Sequence, residues 1–202
     1  MKGPLIEWGV ASLTLPGQDE SGDRYIVRPL PAGVLVAVVD GLGHGDEAAA
    51  AAKSAVAWLE YHAHESVITL MKRCHESLRA TRGVVMSLAS FNGLDETITW
   101  LGVGNVEGTL VRVDPDARPT SESLLLRGGV IGRQLPPLRA SIIPVMRGDT
   151  LLFYTDGVRP PSLEELALGS PPQQIADRIL ADYAKGTDDA LVVVTRFNGQ
   201  VP

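Results

Sequence analysis

Gly33-Val34-Leu35-Val36-Ala37-Val38-Val39 runs straight into Asp40-Gly41-Leu42-Gly43-His44-Gly45, and the reading of that junction decides the fold. An unbroken apolar run of strand length predicts a strand covered on both faces, central in its sheet. The chain leaves it on a carboxylate, crosses a glycine-rich turn and enters an alanine-rich segment from Asp46 that reads as helix. Two readings of Asp40 stand at this point. It is a capping or solvated turn acid, or it belongs to a metal or phosphate site; short motifs of this kind also arise by chance.

Working outward, residues 5–15 read as a strand, Pro16 to Asp23 as a polar turn and residues 24–30 as a second strand. Downstream, Ala48, Ala52, Ala55, Val56, Leu59 and Ala63 recur at helical spacing and predict a helix over 46–64. Asp46 and Glu47 read as acids favoured in its first turn. Val67, Leu70, Met71, Cys74 and Leu78 predict a second helix over 66–80. Strands are expected at 84–91, 97–104, 106–113, 123–127 and 139–145, with Asn92-Gly93 as a hairpin signal. A glycine- and proline-rich loop occupies 128–137. The pattern of the opening then returns: Thr150-Leu151-Leu152-Phe153-Tyr154 is an apolar strand ending in Thr155-Asp156-Gly157. A helix over 171–184 leads to Thr187-Asp188-Asp189-Ala190 and a last strand over 191–195.

No linker, solenoid-spaced repeat or low-complexity tail divides the 202 residues, so one domain over 1–202 is expected. Strands clustered rather than alternating with helices predict an α+β fold with antiparallel sheets, and the two blocks of helix predict a two-sheet sandwich with helices outside. Apolar residues make up 45%, enough for a substantial core, and the net charge of −6 argues against a binder of nucleic-acid backbone. The single cysteine, Cys74, permits no disulfide within the chain; it reads as a buried core residue and points to a reducing compartment. Met1 to Trp8 lacks the apolar core of a signal peptide, and no apolar run approaches the roughly 18–20 residues of a membrane span. A cytoplasmic globular protein is expected.

Asp40, Asp156 and the pair Asp188/Asp189 share one context, each abutting a long apolar strand. Isolated carboxylates are expensive to bury, and like charges gathered at one rim of a core repel unless something positive sits among them. A divalent cation is the simplest neutraliser, and an all-oxygen donor set selects Mg²⁺, Mn²⁺ or Ca²⁺ over zinc. His44 is the one histidine near the acids, as a turn residue or a phosphate contact; His62 and His64 read as solvent-side. Hard cations on a glycine-rich backbone suggest phosphate chemistry, two such ions activating water against a phosphoryl group. Neither a Walker motif nor a Gly-x-Ser-x-Gly elbow is present.

Asp40-Gly41-Leu42-Gly43-His44-Gly45, Thr155-Asp156-Gly157-Val158 and Asp188-Asp189-Ala190 occur in the order and contexts of the metal-dependent type 2C (PPM) serine/threonine phosphatases, which the chain resembles over nearly its whole length. Ser21-Gly22-Asp23, Gly104-Asn105 and Gly148 to Tyr154 are similar to elements of the bacterial SpoIIE-like branch. The resemblance implies an αββα sandwich and a centre of two Mn²⁺ or Mg²⁺ ions. By position, Asp40 would bridge both ions and Gly41 would offer its carbonyl. Asp156 and Asp188 would hold one ion, Asp23 would act directly or through water on the other, and Asp189 is the ambiguous member of its pair, expected to support by hydrogen bonding. Asp40, Asp156 and Asp188 are thus the catalytic candidates, with Asp23, Gly41 and Asp189 completing the metal-site candidates.

Two departures mark the match. Ser21 stands where the branch has glycine, and Arg159-Pro160-Pro161 follows where relatives carry an acid. Arg159 therefore reads either as a contact to a phosphoprotein or as an exposed turn residue. The short span from Asp156 to Asp188 implies an open site suited to a folded protein substrate. In the absence of a sensor domain, the length resembles a stressosome phosphatase of the branch. The resemblance thus implies phosphorylated STAS-domain proteins of the stressosome as partners and feedback on a general stress response. The competing readings are the same chemistry on an anti-sigma-factor antagonist, and a noncatalytic metal-binding interaction module.

Overall fold

The third strand organises the molecule because its side chains serve two cores at once. In this computed structural model, which describes residues 3–199, strands β1 (Ile6–Leu13), β2 (Asp23–Leu30) and β3 (Gly33–Gly41) lead into helices α1 (Asp46–His62) and α2 (Val67–Ser77). Met1 and Lys2, the start of the segment read as lacking a leader, lie outside the described residues. Strands β4 (Val84–Asn92), β5 (Thr97–Val103), β6 (Glu107–Val111), β7 (Ser121–Ser123), β8 (Leu126–Arg127), β9 (Ser141–Pro144) and β10 (Thr150–Tyr154) follow, then helix α3 (Pro172–Tyr183) and strand β11 (Ala190–Phe197). One sheet has the order β1-β11-β10-β6-β7; the other has the order β2-β3-β4-β5-β8, with β9 also on β5.

Alternation along β3 sets the layers. Val34, Val36 and Val38 point at the facing sheet, where they meet Phe153, Val193 and Phe197, with Phe91 of the neighbouring β4 in the same layer. Leu35, Ala37 and Val39 point the other way, onto Ala51, Ala52, Ala55 and Leu59 of α1 and Met71 and Cys74 of α2. On the far side, α3 lays Ile175, Ala176 and Ile179 on Leu152, Val192 and Val194. The layers are therefore α1 with α2, sheet, sheet, α3: the α+β αββα sandwich. Among the described residues no helix is long and apolar enough to cross a membrane.

The alanines of α1 have a purpose beyond helix propensity. A Cβ on Gly41 would lie 2.2 Å from the Ala48 carbonyl oxygen, so the first turn of α1 is seated directly on the end of β3. The turn between them reverses through Gly43 (φ 86°) and Gly45 (φ 77°), a backbone region that favours glycine.

Three expectations differ in detail. β3 continues through Asp40 and Gly41 instead of stopping at Val39. The segment expected as one strand over 123–127 is two: β7 pairs with β6, and after Leu124 enters the space between the sheets the chain crosses over and β8 pairs with β5 in parallel, the one parallel ladder among the described strands. Asn92-Gly93 does not make a two-residue turn. The loop runs over 93–96, with the Asn92 carboxamide oxygen accepting from the Leu94 and Asp95 N–H groups and Glu96 at φ 49°.

Candidate active site

Four strand ends meet at one end of the sandwich. β2 and β3 pair so that Asp23 lies directly opposite Asp40. In the facing sheet β10 and β11 are neighbours, and Asp156 follows one while Asp188 and Asp189 precede the other. The contact is close because residue 157 has no side chain: a Cβ on Gly157 would lie 1.8 Å from the Asp189 carbonyl oxygen. Asp40, Asp156 and Asp188 line one cleft of about 380 Å³, together with Leu42, Gly43 and His44 of the turn after β3, Asn105, and the glycines Gly128 and Gly129.

Thr155 ties the two sheets together under the cleft. Its hydroxyl donates to Asp23 Oδ2 at 2.7 Å and accepts the Leu191 N–H at 2.9 Å. Asp23 is consequently buried, 6% exposed, below the cleft and not in its lining. Asp189 is also buried, and both of its oxygens are engaged: Oδ1 accepts from the Leu15 N–H at 2.7 Å and Oδ2 from the Gly22 N–H at 2.6 Å. It holds the segment that delivers Asp23. Asp188 is exposed, its Oδ1 accepting the Asp189 N–H at 2.9 Å. Gly41 lies behind the cleft wall, its N–H donating to the Gly22 carbonyl at 3.1 Å, and is not a lining residue.

Two residues at the site escaped the sequence reading as functional groups. Asn105, noted only as part of a Gly-Asn element, donates its Nδ2 to Asp156 Oδ2 at 2.7 Å. Lys185 donates Nζ to the Asp156 carbonyl at 2.5 Å, and its own N–H donates to the Gly157 carbonyl at 2.8 Å. Neither signal is local in sequence, since the contacts span 51 and 29 residues. Arg159 is turned away from the cleft. It donates Nη2 to the Asp182 carbonyl at the end of α3 and lies over the Tyr183 ring. His44 is in the lining and exposed, whereas His62 is stacked on Trp58 and His64 is exposed away from the cleft.

Electrostatics show what the cleft lacks. Burial first, and the charges of Asp23, Asp156, Asp188 and Asp189 next, push the Asp40 carboxyl up to about 8. Burial likewise raises Asp23 to about 7, against the lowering effect of the Thr155 hydroxyl. Among the described residues, no Lys, Arg or His forms an ion pair with any of these acids. Carboxylates that repel one another without a counter-charge fit a cation held among them. The donors are all oxygen, as Mg²⁺ or Mn²⁺ prefers. They do not form a closed cage: among the described residues no three acids, histidines or cysteines converge tightly enough to hold an ion alone. That openness suits Mg²⁺-type binding, which uses one or two carboxylates plus substrate phosphate and water instead of an all-protein shell.

The same chain matches the family described as Stage II sporulation protein E (SpoIIE) over residues 31–198. It is 25% identical over 199 residues to the phosphoserine phosphatase RsbX of Bacillus subtilis (strain 168), covering 96% of each chain. Among solved structures, a chain from work on the bacterial stressosome as a modular system adapted to control secondary messenger signaling superposes with a TM-score of 0.87 at 27% identity, over 95% of this chain and 99% of that one. RsbX in complex with magnesium superposes with a TM-score of 0.83 at 22% identity, over 96% of both chains. Taken with the fold and the acids gathered at its edge, these matches show that the chain belongs to the SpoIIE family of metal-dependent PPM phosphatases.

Proposed function

We propose that the protein is a single-domain serine/threonine phosphatase that uses two Mn²⁺ or Mg²⁺ ions to remove phosphate from phosphorylated STAS-domain proteins of a stressosome in the cytoplasm, resetting a general stress response. The observation that carries the chemistry is the convergence of Asp40, Asp156 and Asp188 on one open cleft, none of them in an ion pair with a described residue. The likeness to RsbX and to a stressosome chain supports the biological setting.

Asp40, Asp156 and Asp188 would hold the ions, supported by Asp23, which lies opposite Asp40 beneath the cleft. Bound there, such ions supply an activated water at neutral pH and neutralise charge on the attacked phosphoryl group. The chain's own residues do the positioning. Asn105 fixes the rotamer of Asp156, and Lys185 fixes the backbone that carries it. Thr155 and Asp189 hold the two sheets at the spacing the acids need. His44 and Leu42 stand exposed in the cleft lining, where a phosphorylated side chain would enter.

The partner is tested with purified protein, Mn²⁺ and a panel of phosphorylated proteins. Release of phosphate from STAS-domain substrates is expected. Turnover confined to other phosphoproteins, such as an anti-sigma-factor antagonist, would keep the enzyme and replace the partner.

A further inference from the structure

A second groove lies beside the cleft, of about 420 Å³, lined by Glu47 and Ser54 of α1 and by Thr81, Arg82 and Arg133. Its two arginines hang from segments whose other ends line the cleft. The Leu42 N–H donates to the Gly83 carbonyl at 3.1 Å, so the turn after β3 is bonded to the residue following Arg82. A Cβ on Gly43 would lie 3.0 Å from Arg82 Nη1, which places that guanidinium over the cleft turn itself. Arg133 caps a tight turn in which the Gln134 N–H donates to Val130 and the Val130 N–H to Gln134, and Gly129 at its base is a cleft residue. The two segments pack backbone to backbone, with Val84 and Ile131 exchanging hydrogen bonds at 3.0 and 2.8 Å. Arg133 Nε donates to the Arg82 carbonyl at 3.2 Å.

The charges do not cancel. Arg82 pairs through Nε with Glu47, while Arg133 forms no ion pair with a described residue, so the groove holds two cations against one anion. Ser54 and Thr81 add hydroxyls, and Ala50, Ala51 and Ala80 form the apolar remainder of the lining. An acidic segment that leaves the cleft on this side passes the guanidinium groups of Arg82 and Arg133.

We propose that this groove binds an acidic segment flanking the phosphorylated residue of the substrate protein, with Arg82 and Arg133 as its counter-charges. The assignment rests on the phosphatase reading above and adds to it the sequence context the enzyme selects. The attraction is between exposed groups, so it is modest and screened by salt.

The test uses the full chain with Mn²⁺, two phosphoserine peptides differing only in acidic or lysine-bearing flanks, and para-nitrophenyl phosphate. The wild type is expected to prefer the acidic peptide several-fold in kcat/KM at low salt, a preference lost as salt rises. Arg133→Glu reverses the preference, and Ser54→Glu, on the exposed face of α1, weakens it in the same direction, while both turn over para-nitrophenyl phosphate at the wild-type rate. Unchanged peptide preference in both variants, with para-nitrophenyl phosphate still hydrolysed, overturns the groove assignment and leaves the phosphatase reading standing. No hydrolysis of para-nitrophenyl phosphate by the wild type overturns the reading beneath it.

Discussion

Asp40 and Asp23 face each other across two paired strands, and burial makes each reluctant to ionise. This has a measurable sign. Both carboxyls are raised above their ordinary value of 3.8, to about 8 and about 7, so the folded chain without metal binds more protons than the unfolded chain across that interval. Stability therefore falls as pH climbs from about 4 through about 8 and flattens above. Thermal melts in chelator are expected to show that decline, and added Mg²⁺ is expected to stabilise more at the alkaline end, because its ligands must lose their protons. Melts that rise with pH over this range would contradict the cluster. The neighbours Asp188 and Asp189 part company in the same way. Asp189 accepts two backbone N–H groups in the interior, so Asp189→Ala orphans both and should lower stability by about 2 kcal/mol or more. Asp188→Asn, on an exposed side chain, should leave the melt unchanged and abolish phosphatase activity. Sequence placed Asp40, Asp188 and Asp189 at strand ends, because burying bare charge is costly and strand ends are where a chain can carry it, whereas Asp23 read as the end of a polar turn and came to the site only through the family resemblance. Spacing alone did not separate Asp188 from Asp189; the resemblance implied a supporting hydrogen-bonding role for Asp189, but its partners at Leu15 and Gly22 lie far away in the chain and were not legible.

At the scale of elements, the junction of β3 with α1 is a tight joint beside the cleft. The unbroken apolar run of β3 and the alanine stripe of α1 were legible as strand and helix because each satisfies a strong period. That the two touch backbone to backbone was not, for closeness of approach depends on the absence of one side chain at Gly41. Gly41→Ala puts a methyl group 2.2 Å from the Ala48 carbonyl and must lift the start of α1. The expected cost is about 2–3 kcal/mol by analogy with overpacked cores, read as a lowered denaturation midpoint at unchanged slope. A neutral variant would show that α1 is not seated on β3. The break of the strand expected over 123–127 into the end of β7 and β8, in different sheets, was hidden for the opposite reason. Ser123 to Arg127 carries a plausible strand pattern throughout, and only the burial of Leu124 between the sheets, with Leu125 left exposed, makes the chain change sides.

For the molecule as a whole, the architecture explains why so much of the site could be read before the structure. A sandwich whose central strands are apolar must export its charges to the edges. Two adjacent strands in each sheet then deliver those charges to the same edge. The gathering of Asp40, Asp156 and Asp188 around one cleft follows from the pairing of β2 with β3 and of β10 with β11. Asn105, Lys185 and the arginine groove needed coordinates, because they depend on how loops lie against one another. The central claim is that this edge is a metal-dependent phosphatase centre. The most direct measurement is phosphate release from para-nitrophenyl phosphate by the purified chain, with Mn²⁺ and with chelator, for the wild type and Asp40→Asn. Mn²⁺-dependent turnover is expected in the wild type, with a loss in Asp40→Asn larger than the roughly 10–100-fold that follows when a residue merely supporting a metal ligand is changed. Turnover that survives chelation, or an Asp40→Asn variant as active as the wild type, would contradict that claim.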